Sequence, residues 1–169
     1  MSTPPFLFES ERLAFREFSL DDAPALYRLN ADPEVIRYTG DPPFASPNEA
    51  QSFLSDYDSY RVHGYGRWAV ISKDNEKFLG WCGLKNTDGD IDLGYRFFRS
   101  AWDQGYATEA ALTCLDYGFR QLGMTRIIAR VLPENIASCR VLEKAGMTFT
   151  GFGQCKGLEG ARLYVIQRK

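Results

Sequence analysis

The apolar positions of this chain change period several times, and each change marks an element. Leu13 and Phe15, and less neatly Phe18, alternate with charge along Arg12–Phe18, the pattern of a half-buried strand. Ser19-Leu20-Asp21-Asp22 then opens a helix, with Ser19 as a good N-cap and acids suited to the positive helix start. Ala25, Leu26 and Leu29 give it an apolar stripe, and Asp32-Pro33 ends it. From Pro47 to Val62, Ala50, Phe53, Leu54, Tyr57 and Tyr60 recur at helical spacing.

Strands follow. Trp68–Ile71 leads into a polar turn at Asp74-Asn75-Glu76, and Phe78–Leu84 runs on to Asp88-Gly89, a hairpin signal. Ile91, Leu93, Tyr95 and Phe97 then alternate with Asp92, Gly94 and Arg96, which face the other way. A helical period returns from Tyr106 to Leu122, with Ala107, Ala111, Cys114, Leu115 and Gly118 on one face and Gly123 as the stop. Ile127–Val131 is a strand rich in β-branched residues, and Asn135–Ala145 is a helix ended by Gly146. Met147–Phe152 and Ala161–Gln167 finish the chain as strands joined by a glycine-bearing loop.

This order predicts one α/β (α+β) domain over residues 1–169, with a mixed, mostly antiparallel sheet of seven strands and helices on both faces. The crossover through Tyr106–Leu122 predicts one parallel pair, because strands joined through a helix run the same way.

Composition narrows the function. A chain of 169 residues with 44% hydrophobic and 25% charged residues makes one folded domain, not a disordered segment. Twenty basic residues against 22 acidic ones, a formal charge of -2, exclude a general nucleic-acid binder. No run approaches the ~18 to 20 apolar residues of a membrane span. The start lacks the basic head and apolar stretch of a signal peptide. The cysteines at 82, 114, 139 and 155 form no CxxC pair, and there is one histidine, so no metal site is expected. These features predict a cytoplasmic protein with reduced thiols.

The stretch richest in chemistry is Trp102-Asp103-Gln104-Gly105-Tyr106-Ala107-Thr108-Glu109-Ala110, which follows a strand and opens a helix. Gly105 lets backbone approach a ligand, Ala107 and Thr108 are small, and the first helical turn carries unpartnered N–H groups and a positive dipole end. Together they make a seat for a phosphate or pyrophosphate. The chain has neither GxxxxGK[ST] nor GxGxxG, so this is not a P-loop or a dinucleotide fingerprint. By spacing alone the same residues also suit a tight turn with Thr108 as a cap. A second stretch runs from Pro133 to Met147, where Asn135 is an N-cap candidate with Ser138 three residues on. Taken alone, it reads as simple capping.

Together with Glu11-Arg12-Leu13, Asp32-Pro33-Glu34-Val35, Gly80-Trp81-Cys82-Gly83-Leu84, Asp92-Leu93-Gly94-Tyr95 and Lys144-Ala145-Gly146-Met147, these stretches resemble the GNAT superfamily of acetyl-CoA-dependent N-acetyltransferases, in particular its Rim-type branch. The resemblance implies that the N–H groups of Gln104, Gly105, Tyr106, Ala107 and Thr108 hold the CoA pyrophosphate. It implies that the strand end at Phe97, Phe98 and Arg99 pairs with the pantetheine arm. It further implies that this strand splays from its parallel neighbour, Arg126–Val131, with the thioester in the gap, and that Asn135 touches the cofactor.

Two positions depart from the pattern. Asp103 stands where the branch often has glycine, and Leu142 where many members carry a tyrosine acid. The implied reaction is direct attack of an amine on the thioester, with no metal, and strand N–H near Phe97 as the oxyanion donor. Asp92 is the candidate base, or else a structural carboxylate. Ser138 is the candidate proton donor in place of the missing tyrosine, with Tyr95 and Tyr164 behind it. Arg37, Tyr38 and the Pro42-Pro43-Phe44 loop are candidates for the acceptor side, whereas His63, near Gly64 and Gly66, reads as an exposed loop residue, in a loop of the kind that the resemblance places beside the substrate groove.

The acceptor implied is a small-molecule amine or a protein amino terminus. Dimers are common among small enzymes of this type, so a homodimer is an open partner state. The competing reading is a non-catalytic acyl-CoA-binding or regulatory module on the same fold.

Overall fold

The computed structural model describes residues 3–155 and 158–169. Eight strands and six helices alternate as β1 (Phe6–Glu9), β2 (Leu13–Arg16), α1 (Ala23–Ala31), α2 (Pro33–Ile36), α3 (Pro47–Asp56), α4 (Ser59–His63), β3 (Arg67–Ser72), β4 (Phe78–Thr87), β5 (Asp90–Phe97), α5 (Tyr106–Arg120), β6 (Arg126–Val131), α6 (Ile136–Lys144), β7 (Thr148–Cys155) and β8 (Leu158–Gln167). They form one sheet in the order β1-β2-β3-β4-β5-β6-β8-β7. β5 and β6 run parallel, and every other neighbouring pair is antiparallel.

Strand alternation sends two sets of side chains to two layers. Trp68, Val70, Cys82, Leu84, Leu93 and Ile127 join the main core, into which α5 sends Ala110, Ala111, Cys114 and Leu115. On the other face Leu26, Leu29, Ala50 and Leu54 of α1 and α3 make a smaller core against Phe78, Trp81 and Phe98.

The structure adds three features to the sequence expectation. The sheet has eight strands, because Phe6–Glu9 pairs along the edge of β2. Its Phe8 ring is sandwiched at 4.5 Å from Phe15 and 4.1 Å from Tyr117, long-range packing that leaves no local alternation to read. The helix expected over Pro47–Val62 breaks at Tyr57, which is extended (ψ 105). Both flanking tyrosines reach the start of β3: Tyr57 Oη accepts the Arg67 N–H at 2.7 Å, and the Tyr60 hydroxyl donates to the Arg67 carbonyl.

Ser19 and Asp22 form the expected helix start as a capping box, Asp22 accepting the Ser19 N–H at 2.8 Å, and Asp22 also makes a buried two-point pair with Arg16, both contacts at 2.9 Å. The loop expected between Phe152 and Ala161 is shorter than that, because β7 runs on to Cys155 and β8 starts at Leu158; residues 156–157 between them lie outside the described residues. Among the described residues, no helix is long and apolar enough to cross a membrane.

Candidate active site

The sheet opens where the chain crosses over. β5 is held to β4 by eight residue pairs from Gly80–Phe97 to Thr87–Asp90, and β6 to β8 by six from Arg126 to Val131. Between β5 and β6 the only register pair is Asp92–Ile128. Each strand follows the twist of its other neighbour, so past that rung the two diverge. A slit therefore opens beside Gly94–Phe97. At its upper end the Phe97 carbonyl accepts the Trp102 indole N–H at 3.0 Å. The Phe98 N–H donates to Leu79 O, also at 3.0 Å, while its ring packs beside Phe78. The Arg99 side chain turns away to form a two-point pair with Asp32.

Above the slit lies the start of α5. Gly105 has φ +80, a conformation that side chains with a Cβ resist, and so turns the chain into the helix without a side-chain cap. The first helical bond runs from Glu109 N–H to Gly105 O, so the N–H groups of Tyr106, Ala107 and Thr108 have no partner inside the helix. Asp103 is exposed and also left-handed, with φ +60.

A second chain segment braces this corner. Arg12 donates to the Gln104 carbonyl at 2.9 Å and to Glu109 at 2.7 Å, and lies over the Tyr106 ring at 4.3 Å. Glu109 also accepts the Ser10 hydroxyl at 2.6 Å and the Arg12 N–H at 2.9 Å. Burial raises the Glu109 pKa, but these donors outweigh it and hold the carboxyl below its ordinary value. The brace is therefore complete above the ordinary glutamate pKa and is lost as pH falls through the lower folded value. Glu11-Arg12-Leu13 entered the sequence reading only as part of a resemblance. A pair separated by 97 residues leaves no local spacing to recognise it by.

Across the slit, Asn135 caps α6, its Oδ1 accepting the Ser138 N–H at 3.2 Å. Tyr95 and Ser138 meet there, with hydroxyl oxygens 2.7 Å apart and Tyr95 also donating to the Ser138 carbonyl at 3.2 Å. Burial pushes the Tyr95 pKa above its ordinary value, so the phenol stays protonated through neutral and alkaline pH. Leu142 is buried in the core, and Tyr164 donates to Glu143 on the far side of α6 at 3.4 Å. Tyr95, a minor candidate from sequence, is thus the tyrosine beside Ser138.

Asp92 lies on the opposite face of β5 from Tyr95. Its Oδ2 accepts from Arg130 at 2.9 Å. Burial raises its pKa, opposed by the charges of Arg67 and Arg130. Between this face and α3–α4 opens a cavity of about 740 Å³, lined by Phe44, Phe53, Tyr57, Arg67, Trp81 and Arg96 among others. Pro42 and His63 also line it. Arg37 and Tyr38 instead stack on each other at 5.1 Å. Asp92 and Ser138 are thus brought to the same slit but from its two faces.

The comparisons agree with this geometry. Residues 12–148 match the family model of the acetyltransferase (GNAT) domain. An uncharacterized N-acetyltransferase of Bacillus licheniformis, p20, is 32% identical over 157 residues, spanning 90% of this chain and 87% of its own. A GNAT-family acetyltransferase of Bacillus anthracis superimposes with a TM-score of 0.81 at 29% identity, covering 94% of this chain and 96% of its own. Ribosomal L7/L12 alpha-N-protein acetyltransferase in complex with coenzyme A has a TM-score of 0.80 at 16% identity over 96% of this chain and 98% of its own, a likeness of fold. A sheet parted at one parallel pair, a family model over most of the chain and relatives matched along nearly their whole length lead to one conclusion: this chain belongs to the GNAT family of N-acetyltransferases.

Proposed function

We propose that the protein transfers an acetyl group from acetyl-CoA to a primary amine, either of a small molecule or of a protein amino terminus. The observation that carries this reading is a helix start whose first N–H groups lack intrahelical partners, following the C-terminal end of a strand that pairs with its parallel neighbour through a single rung. The donor set fits the cofactor: backbone N–H groups and a helix dipole suit a diphosphate, and an unpaired strand edge suits an amide-bearing arm. Acetyl-CoA supplies the acetyl group as an activated thioester. Both kinds of acceptor occur among the structural neighbours, one a spermidine N-acetyltransferase of Vibrio cholerae and another a ribosomal-protein-S5-alanine acetyltransferase of Vibrio fischeri.

The chain's own groups divide the work. N–H groups from Gln104 to Thr108 hold the pyrophosphate, with the Thr108 hydroxyl beside them. The β5 edge from Tyr95 to Phe97 aligns the pantetheine, and Phe97 N–H polarises the carbonyl. Asn135 turns its amide nitrogen to the same arm. Phe98 contributes less, since its N–H is already bonded to Leu79. The incoming amine must be neutral, which is easier for an α-amine of pKa about 8 than for a lysine near 10.4. Asp92 takes its proton, directly or through water. On the other face Tyr95 and Ser138 return a proton to the departing thiolate.

Thiol release from acetyl-CoA, followed with a chromogenic disulfide across a panel of amines and amino-terminal peptides, tests the proposal. Turnover supports it. A thermal shift with CoA and no turnover favours the non-catalytic alternative, and the absence of both signals overturns the cofactor assignment.

Two variants test the roles. Asp92→Asn should lower turnover about tenfold, less than a full acid–base contribution because Arg130 already holds the carboxylate. CoA affinity should stay nearly unchanged. Because the Asp92 pKa is raised, the acid limb of the wild-type pH–rate profile should lie above the ordinary aspartate value and be lost in the variant. Tyr95→Phe should lower kcat by a similar, roughly tenfold, margin. Unchanged turnover in either variant removes that residue from the mechanism.

A further inference from the structure

The floor of the acceptor cavity carries a cation without a counter-ion of its own. Arg67 crosses β4 and lays its guanidinium on β5 at Gly94, where an added Cβ would meet Nη2 at 2.6 Å and Cζ at 2.7 Å. Nη1 is pinned by the carbonyls of Gly83 at 2.8 Å and Asp92 at 2.9 Å, and the Trp81 ring lies 5.2 Å away. Among the described residues, no carboxylate comes within ion-pair distance of Arg67, and Nε and Nη2 find no acceptor. Asp92 is engaged by Arg130 and Asp41 by Arg96, while Glu49, Asp56 and Asp58 line the cavity on its α3–α4 side. Arg96 adds a second guanidinium against Trp81, also at 5.2 Å.

Burial works against the charge of Arg67 and pushes its pKa below the ordinary arginine value, outweighing the attraction of the Asp92 carboxylate. A cation held this way costs stability unless something pairs with it, and a guanidinium with one edge free is shaped to receive a carboxylate at two points.

Resting on the acetyl-transfer reading above, we propose that the acceptor carries a carboxylate beside its reacting amine and that Arg67 receives it. The guanidinium lies at Gly94, where the slit begins, so the anion it binds sits close to the nitrogen that attacks. The walls above it, Phe44, Phe53 and Tyr57, suit an apolar body. The substrate class is a free amino acid with an aromatic or aliphatic side chain, and Arg67 is a specificity-determining residue.

Matched acceptors test this. L-phenylalanine, L-phenylalaninamide and phenethylamine are compared by thiol release at saturating acetyl-CoA, with L-leucine, L-leucinamide and isopentylamine as a second set. The carboxylate should be preferred in kcat/KM by about 10- to 100-fold, even though the less basic amine of the amide is the readier neutral nucleophile. Arg67→Gln should erase the preference, and Arg67→Lys should restore part of it. Equal use of the amide, the plain amine or a peptide amino terminus by the wild-type protein overturns the proposal.

A second readout needs no turnover. In the presence of CoA, N-acetyl-L-phenylalanine should raise the melting temperature more than its amide does, and equal shifts overturn the carboxylate seat. Thiol release from none of the amines would count against acetyl transfer itself, while the shifts would still decide for or against the seat.

Discussion

Gly105→Val should weaken CoA binding by about 2 to 3 kcal/mol, the cost of forcing a β-branched residue into a left-handed conformation or of losing that conformation altogether. In Kd this is roughly 30- to 150-fold. Space is not the obstacle, since the nearest atom to an added Cβ is Arg12 Nη2 at 3.3 Å. The obstacle is φ +80, which aims the first N–H groups of α5 out of the helix. Calorimetric titration with CoA measures the loss. Turnover with acetyl-pantetheine, which lacks the diphosphate, should change little. Equal losses for both would show that the defect lies in the slit, and unchanged CoA affinity would place the phosphate seat elsewhere.

Gly83→Ala should unfold the molecule more readily, with a loss of about 3 kcal/mol or more. A single methyl there would lie 2.2 Å from the Gly66 carbonyl oxygen and 2.6 Å from Arg67 Cα. Both are backbone atoms, and Leu84 N–H bonds that same carbonyl at 3.0 Å, so β3 and β4 can part only by breaking their ladder. For a domain of this size the melting temperature should fall by about 6 to 12 °C. Gly153→Ala, where an added Cβ meets nothing within 4 Å, should be neutral or slightly stabilising. Equal melting temperatures for the two variants would refute the close approach. The same junction positions the acceptor floor, since Gly83 O is one of the two carbonyls that pin Arg67.

Local pattern carried far in this chain. Alternation through Ile91–Phe97 separated the faces of β5 and so set Asp92 apart from Tyr95 before any contact was known. The change to helical period at Tyr106 marked the crossover and with it the parallel pair. Gly105 and Asn135 stood out because turn and cap chemistry is written within three or four residues.

Contacts between distant segments were not legible. Arg12 at Glu109 and Tyr95 at Ser138 join positions 97 and 43 residues apart, and neither side chain differs in type from its surface or core neighbours. The break at Tyr57 escaped because Tyr57 and Tyr60 keep helical spacing while their hydroxyls bind the N–H and the carbonyl of Arg67. Arg67 did not stand out in the sequence at all, because nothing local marks Gly83 and Gly94 as the residues that clear its path across the sheet.

By itself, then, the order of periods and punctuating residues determined most of the elements, their order and the glycine-led start of α5, because those depend on backbone preferences a few residues wide. Tertiary structure alone decided how far β5 and β6 diverge, which tyrosine meets Ser138 and which cation, among the described residues, makes no ion pair. Those outcomes depend on the twist of neighbouring strands and on which side chains desolvate together, and both are set only once the sheet has closed around its core.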